Sequence, residues 1–188
     1  QGLDHDPSWL PIDGISQFGA VLGDLRWLQG TQRALKAARQ AGVPGVLDAD
    51  LTTHDGLTEA AGASSHIIFS EPALADCTGE TDVNAGLRSA HRRFGGWLAV
   101  TMGAQGAYWT ADGSTVHRQP AYEVDVIDTL GAGDVFHGAF AAELARGQNE
   151  TEALRWAAAA AAMKCAQPGG RAGIPTRKAL ERFLREQA

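Results

Sequence analysis

Apolar positions along this chain fall alternately into short unbroken runs and helical stripes, a pattern that predicts alternating strands and helices. Ala20-Val21-Leu22-Gly23 reads as a short buried strand. Thr31 is then expected to cap a helix carrying Ala34, Leu35, Ala38 and Ala41 at helical spacing, with Gly42 and Pro44 stopping it. Residues 43–47 give the next strand, which ends at Asp48-Ala49-Asp50. Strand, helix and strand in that order make one parallel βαβ unit.

The pattern then repeats. A helix around residues 57–62 leads to the strand His66-Ile67-Ile68-Phe69, followed by helical pieces through Leu74 and over residues 82–94. Trp97-Leu98-Ala99-Val100 is a further buried strand. Beyond it, Gly106-Ala107-Tyr108-Trp109, a turn at Asp112-Gly113, and Thr115-Val116-His117 predict an antiparallel hairpin. Residues 123–127 read as a last strand. Three helices follow: one over residues 134–146 closed by Gly147, one opened by Asn149 and Glu152 in a capping box and closed by Pro168-Gly169-Gly170, and one capped by Thr176 with the stripe Leu180, Phe183 and Leu184. Residues 1–18 form an irregular lead-in. The expected fold class is α/β: an open, mostly parallel sheet flanked by helices on both faces, with binding loops at the strand C-termini.

Composition narrows the partners. A chain of 188 residues with 44% apolar and 20% charged positions suits one globular domain with a substantial core. No apolar stretch approaches the ~20 residues of a membrane span, so no membrane partner is expected. A net charge of −6 argues against nucleic acid as the main partner, because phosphate backbones demand basic patches. Cys77 and Cys165 stand far apart, read as small buried hydrophobes, and fit a reducing cytoplasm. No His-x3-His pair is present to suggest a histidine metal site.

The chemistry concentrates in Asp128-Thr129-Leu130-Gly131-Ala132-Gly133-Asp134 and the apolar segment after it. Backbone without bulky side chains can approach a ligand closely. A helix beginning at Asp134 would aim its unpaired N–H groups and positive dipole end at an anion. Beside that anion hole stands a carboxylate, where a base is needed to deprotonate an attacking hydroxyl; the pairing suggests phosphoryl transfer. A P-loop would need a lysine and a hydroxyl that are missing here. A dinucleotide fingerprint would need a glycine where Phe136 stands. The plain alternative is a glycine-rich turn into a helix, with Asp134 an ordinary first-turn acid.

At these residues the chain resembles the ribokinase-like (PfkB-type) carbohydrate kinases, whose C-terminal signature is Asp-Thr-x-Gly-Ala-Gly-Asp. The resemblance extends over nearly the whole chain. It implies that Asp134 is the catalytic base toward a sugar hydroxyl, and that the backbone of Gly131, Ala132 and Gly133 forms the anion hole. It implies ATP and Mg2+, with Thr129 beside the nucleotide. Asp128 and Leu130 fall where the family often holds a monovalent cation such as K+, mostly through backbone carbonyls. It further implies that residues 1–188 are the C-terminal portion of a kinase domain, lacking the N-terminal strands and the lid. Relatives commonly dimerise through that lid, which raises a homodimer.

Other positions gain meaning beside the signature. Thr101-Met102-Gly103-Ala104-Gln105-Gly106 follows a buried strand and looks like the family's Thr-x-Gly-x-x-Gly nucleotide segment; alone it would be a tight turn. Where the family commonly has Asn-x-x-Glu, this chain reads Ser70-Glu71-Pro72-Ala73, leaving Glu71 either to orient a hydrated Mg2+ or to stand as a surface acid. Asp48 and Asp50 resemble the family's acidic strand end that faces the nucleotide phosphates. Asp24 also lies near a strand C-terminus, where Arg26 could meet an anionic group as a guanidinium fork. His137 is expected to pack. The segment around Gly170 matches the stretch that borders adenine and completes the cation site in relatives, or is a plain helix linker.

The implied activity is ATP-dependent phosphorylation of a small-molecule sugar. Leu25-Arg26-Trp27, the segment from His66 to Pro72 and Gly170-Arg171-Ala172-Gly173-Ile174-Pro175 look like the sulfofructose-kinase-like branch, which would make the substrate a sulfonated ketose. The competing expectation is a truncated nucleotide-binding module that holds ATP without phosphorylating a sugar.

Overall fold

Four parallel strands carry the first half of the chain in a computed structural model that describes residues 6–50 and 54–187. They are β1 (Val21–Asp24), β2 (Gly45–Ala49), β3 (His66–Ser70) and β4 (Trp97–Thr101), paired in that order. The register sets Val21 against Gly45, Val46 against His66, and His66 against Trp97. Unbroken apolar runs suit strands covered on both faces. Accordingly Val46, Leu47, Ile68, Phe69, Leu98 and Val100 are all fully buried. The expected burial of the first strand is not found: β1 alternates between half-buried and exposed positions, with Leu22 42% exposed, because β1 is outermost in the strand order.

Helix α1 (Leu28–Gln40) begins a turn earlier than its sequence suggests. Thr31 therefore lies within the helix rather than capping it, and its buried hydroxyl donates to the Asp24 carbonyl at 2.6 Å. Gly23 makes room for this, since a Cβ there would come within 2.7 Å of the Thr31 methyl. Helices α2 (His54–Ala61), α3 (Glu71–Thr78) and α4 (Val83–Phe94) fall where the apolar periodicity puts them. Asp82 caps α4 by accepting the Ala85 N–H at 2.8 Å. Strands β5 (Ala107–Thr110) and β6 (His117–Gln119) complete the order β1-β2-β3-β4-β5-β6. Their connections are too short for a crossover, so they run antiparallel to their neighbours. Where an irregular lead-in is expected, a 3-10 helix spans Ile12–Gln17; residues 1–5 lie outside the described residues.

The chain divides into two compact units, the described residues of Gln1–Thr101 with Tyr108–His117, and those of Met102–Ala107 with Arg118–Ala188. The second is built on α5 (Ala132–Leu144), α6 (Glu150–Cys165) and α7 (Arg177–Glu186). Alanines at 157, 159 and 160 are buried, so α6 can approach its neighbours closely, while Leu180 and Leu184 of α7 close the core against Val135 and Ala139. Asn149 caps α6 by accepting the Glu152 N–H at 2.9 Å, but Glu152 turns to Arg155 at 3.0 Å instead of completing a capping box. Glu143, buried in α5, pairs with Arg177, whose guanidinium lies 4.3 Å from the Trp156 ring centroid.

Three expectations fail here. Residues 123–127 are not a strand; the segment is held by its end, with the N–H groups of Ile127 and Asp128 both donating to the Cys165 carbonyl at 2.8 and 3.1 Å. Helix α5 begins at Ala132, not Asp134, because Gly131 adopts a left-handed conformation (φ 74°) and serves as its cap. Cys77 and Cys165 are half-buried rather than enclosed. Among the described residues, no helix is long and apolar enough to cross a membrane.

Candidate active site

The loop from Asp128 to α5 is folded by its own polar groups. The Asp128 carboxylate accepts the Leu130 N–H at 2.9 Å, turning the chain, and the Ala132 N–H closes on the Thr129 carbonyl at 3.1 Å. With glycine at the cap, no side chain satisfies the first turn of α5. Such N–H groups carry the positive end of the helix dipole and favour an anion. Asp134, third residue of α5, is exposed, and its Oδ2 lies 3.6 Å from where a Cβ on Gly131 would sit. A Cβ on Gly133 would meet nothing within 4 Å, so the loop keeps an open cradle beside the carboxylate. Anion-seeking N–H groups, open space and an exposed carboxylate together fit a phosphoryl group and the hydroxyl that attacks it.

Beneath this loop, His137 Nδ1 contacts the Gly133 carbonyl oxygen at 2.7 Å, and the imidazole is buried. The expectation of simple packing thus understates its role. Asp128 is tied more firmly still. Its Oδ2 accepts the Gly169 N–H at 2.9 Å and lies 3.3 Å from Lys164 Nζ, which also donates to the Asp128 carbonyl at 2.8 Å. The Leu130 N–H and the Lys164 ammonium hold the Asp128 carboxyl below the usual carboxylate range. Lys164 was not singled out from the sequence, yet it is fully buried at the end of the alanine-rich helix. Because this ammonium takes the carbonyl that the family resemblance gives to K+, the residues present do not fit a monovalent ion at Asp128. Gly170 precedes a 3-10 helix, Arg171–Gly173, in the loop held through Gly169.

In the first unit, the C-terminal ends of the parallel strands gather polar residues along one edge of the sheet. Register pairs Asp24 with Asp48 and Ser70 with Thr101. The Asp24 carboxylate accepts the Arg26 N–H at 2.9 Å, Ser70 donates to Asp50 at 2.9 Å, and Thr101 donates to the Phe69 carbonyl at 3.4 Å. Ser70 also caps α3, which makes Glu71 its first residue, exposed to solvent. A lone exposed carboxylate fits Mg2+, which keeps several waters and takes one or two carboxylates plus phosphate oxygens. No cluster of three or more metal-ligating side chains exists among the described residues. Ligands of open α/β sheets bind at this strand edge.

The turn after β4 belongs to the second unit. The Met102 N–H donates to the Gly106 carbonyl at 2.8 Å around a 3-10 helix, Gly103–Gln105. Gly106 (φ 92°) packs so closely that a Cβ would overlap the Gln119 carbonyl oxygen, whereas one on Gly103 would meet nothing. Gly106 is thus required by chain packing, and Gly103 is the one left open.

A family model described as pfkB family carbohydrate kinase matches residues 14–177, and the chain belongs to that family. It is 41% identical to the ribokinase of Bacillus subtilis over 87 residues, which are 46% of this chain and 29% of that one. A provisionally named ribokinase from Agrobacterium tumefaciens superposes with a TM-score of 0.89 at 41% identity, over 94% of this chain and 58% of its own. The Arabidopsis thaliana ribokinase complexed with ribose and ATP superposes with a TM-score of 0.80 at 26% identity, over 93% and 58%. The chain therefore spans little more than half the length of these solved relatives.

Proposed function

We propose that the chain carries the phosphoryl-transfer machinery of an ATP-dependent sugar kinase, with Asp134 as general base. One observation carries this reading: an exposed carboxylate in the first turn of α5, beside an open cradle and a helix start with no capping side chain. The Asp134 carboxylate takes the proton from a sugar hydroxyl. The freed oxygen bonds to the γ-phosphorus of ATP as the bond to the β,γ-bridging oxygen breaks, and ADP leaves. The backbone of Gly131, Ala132 and Gly133 forms the anion hole: the N–H groups of Gly131 and Gly133 donate to the oxygens on which charge develops, while the Ala132 N–H shapes the loop by donating to the Thr129 carbonyl. Thr101, Gly103, Gly106, Thr129 and Gly170 serve the nucleotide, Gly106 through the shape of its turn. Glu71 would hold Mg2+ through water, and the ion would supply positive charge to the nucleotide's phosphates.

For the substrate we infer a sulfonated ketose, supported by the likeness of the Leu25-Arg26-Trp27, His66-to-Pro72 and Gly170-to-Pro175 segments to the sulfofructose-kinase-like branch. Arg26 is exposed at the strand edge, with a guanidinium suited to a sulfonate. The test is ADP release from ATP across a panel containing sulfofructose, fructose, ribose and 2-keto-3-deoxygluconate. Sugar-dependent release, fastest with the sulfonated ketose, is the expected result. Binding of an ATP analogue with no sugar-dependent release from any member would replace the kinase reading with that of a nucleotide-binding module.

A further inference from the structure

We infer that the Lys164 ammonium is a built-in cation for the signature loop, standing where a dissociable monovalent ion would otherwise bind, so that this protein works without K+. The inference rests on the kinase reading only for its consequence in catalysis; the ion site itself is a matter of the fold.

Three features of this chain lead to it. First, Lys164 is completely buried, and its Nζ is spent on two oxygens of one residue, the carbonyl and the carboxylate of Asp128. A buried ammonium persists only where it is paired and hydrogen-bonded, so this contact is a fixture of the fold. Second, the rest of Asp128 is also engaged: its N–H donates to the Cys165 carbonyl, and its carboxylate accepts from both Leu130 and Gly169. A metal ion using the Asp128 carbonyl would have to share that oxygen with a buried ammonium and bear its repulsion, or displace it and strand a positive charge in the interior. Third, the clamp bears on the loop that begins α5, since the Leu130 turn leads directly to the Gly131 cap. An alkylammonium supplies here what an ion supplies, a positive charge drawing carbonyl and carboxylate oxygens together, but covalently attached and always present. Lys164 is accordingly a positioning residue, acting through Asp128 on the anion hole.

The experiment compares the wild-type protein and Lys164→Met in KCl, NaCl and tetramethylammonium chloride at matched ionic strength. Melting temperature is read first, because it needs no assumption about activity. The wild type is expected to melt at one temperature in all three salts. A saturable rise specific to K+ would overturn the inference, since only an ion bound to the native state stabilises in that way. Sugar-dependent ADP release is read second, and its wild-type rate should agree across the salts to within about twofold once screening is matched. Lys164→Met should lose on the order of 10²-fold in turnover through the displaced loop, with part of that loss recovered by K+ and none by tetramethylammonium. If the variant does not fold, the two wild-type comparisons still decide the matter. Absence of ADP release with every sugar would refute the kinase reading and leave the melting comparison to decide the ion site.

Discussion

His137 Nδ1 and the carbonyl oxygen of Gly133 lie 2.7 Å apart, one turn of α5 from each other. A carbonyl only accepts, so the proton is on Nδ1, and the buried imidazole braces the cradle from below. His137→Phe keeps the ring volume and removes the donor. It should destabilise the protein by about 0.5–1.5 kcal/mol in urea unfolding, the net worth of one internal hydrogen bond. Unchanged stability would mean that the imidazole only packs.

Asp134→Asn keeps the shape of the first turn of α5 and removes the base. Turnover should fall ~10²–10⁴-fold, the usual contribution of general-base catalysis, while the affinity for an ATP analogue is largely spared. Its readouts are kcat from ADP release and a binding titration. Near-normal kcat in this variant would take the proton-abstracting role away from Asp134.

Much of this was legible in the sequence, and the exceptions have physical causes. Ile67, Ile68 and Phe69, like Leu98, Ala99 and Val100, are unbroken runs because their strands are covered on both faces, so β3 and β4 can be read directly. Strand β1 opens on the apolar pair Val21-Leu22 and reads as buried from them, but exposure depends on where a strand stands in the sheet, which local pattern does not encode. The sequence pattern puts the start of α5 two residues late because Gly133, a poor helix former, stands between Ala132 and the apolar stripe; the left-handed Gly131 sets the boundary. Val126 and Ile127 have strand-like side chains, yet their segment is fixed by backbone bonds to the end of α6, a distant contact. Lys164 was hidden for a related reason. An alanine-rich helix has almost no polar face against which a buried lysine would stand out, and its partner Asp128 lies 36 residues away.

Acid should loosen the signature loop through Asp128. Its folded pKa is depressed by the Leu130 N–H and the Lys164 ammonium. The unfolded carboxyl titrates at about 3.9, so the stabilisation is fully present above that range and is lost as pH falls through the lower folded value. Asp128→Asn removes this titration. Urea midpoints should therefore differ most between wild type and variant near neutrality and converge once the pH has fallen below the depressed folded value. A gap of constant size across the whole range would show that the carboxylate's charge contributes nothing to the fold.

Gly106 and Gly133 should respond oppositely to the same methyl group. At Gly106 the backbone is left-handed and the Cβ would overlap the Gln119 carbonyl, so Gly106→Ala must shift main chain. Strain of that kind costs of order 1–3 kcal/mol or more and lowers the melting temperature. Gly133 is already helical and its Cβ would enter open space. There, alanine replaces the weaker helix former, and stability should rise by up to about 1 kcal/mol. If the space above Gly133 receives the transferring phosphoryl group, the added methyl obstructs it, and Gly133→Ala should be a more stable protein that is a poorer kinase. Melting curves and ADP-release rates for the two variants separate the possibilities: full activity in a stabilised Gly133→Ala would show that the cradle is open for some reason other than phosphoryl binding.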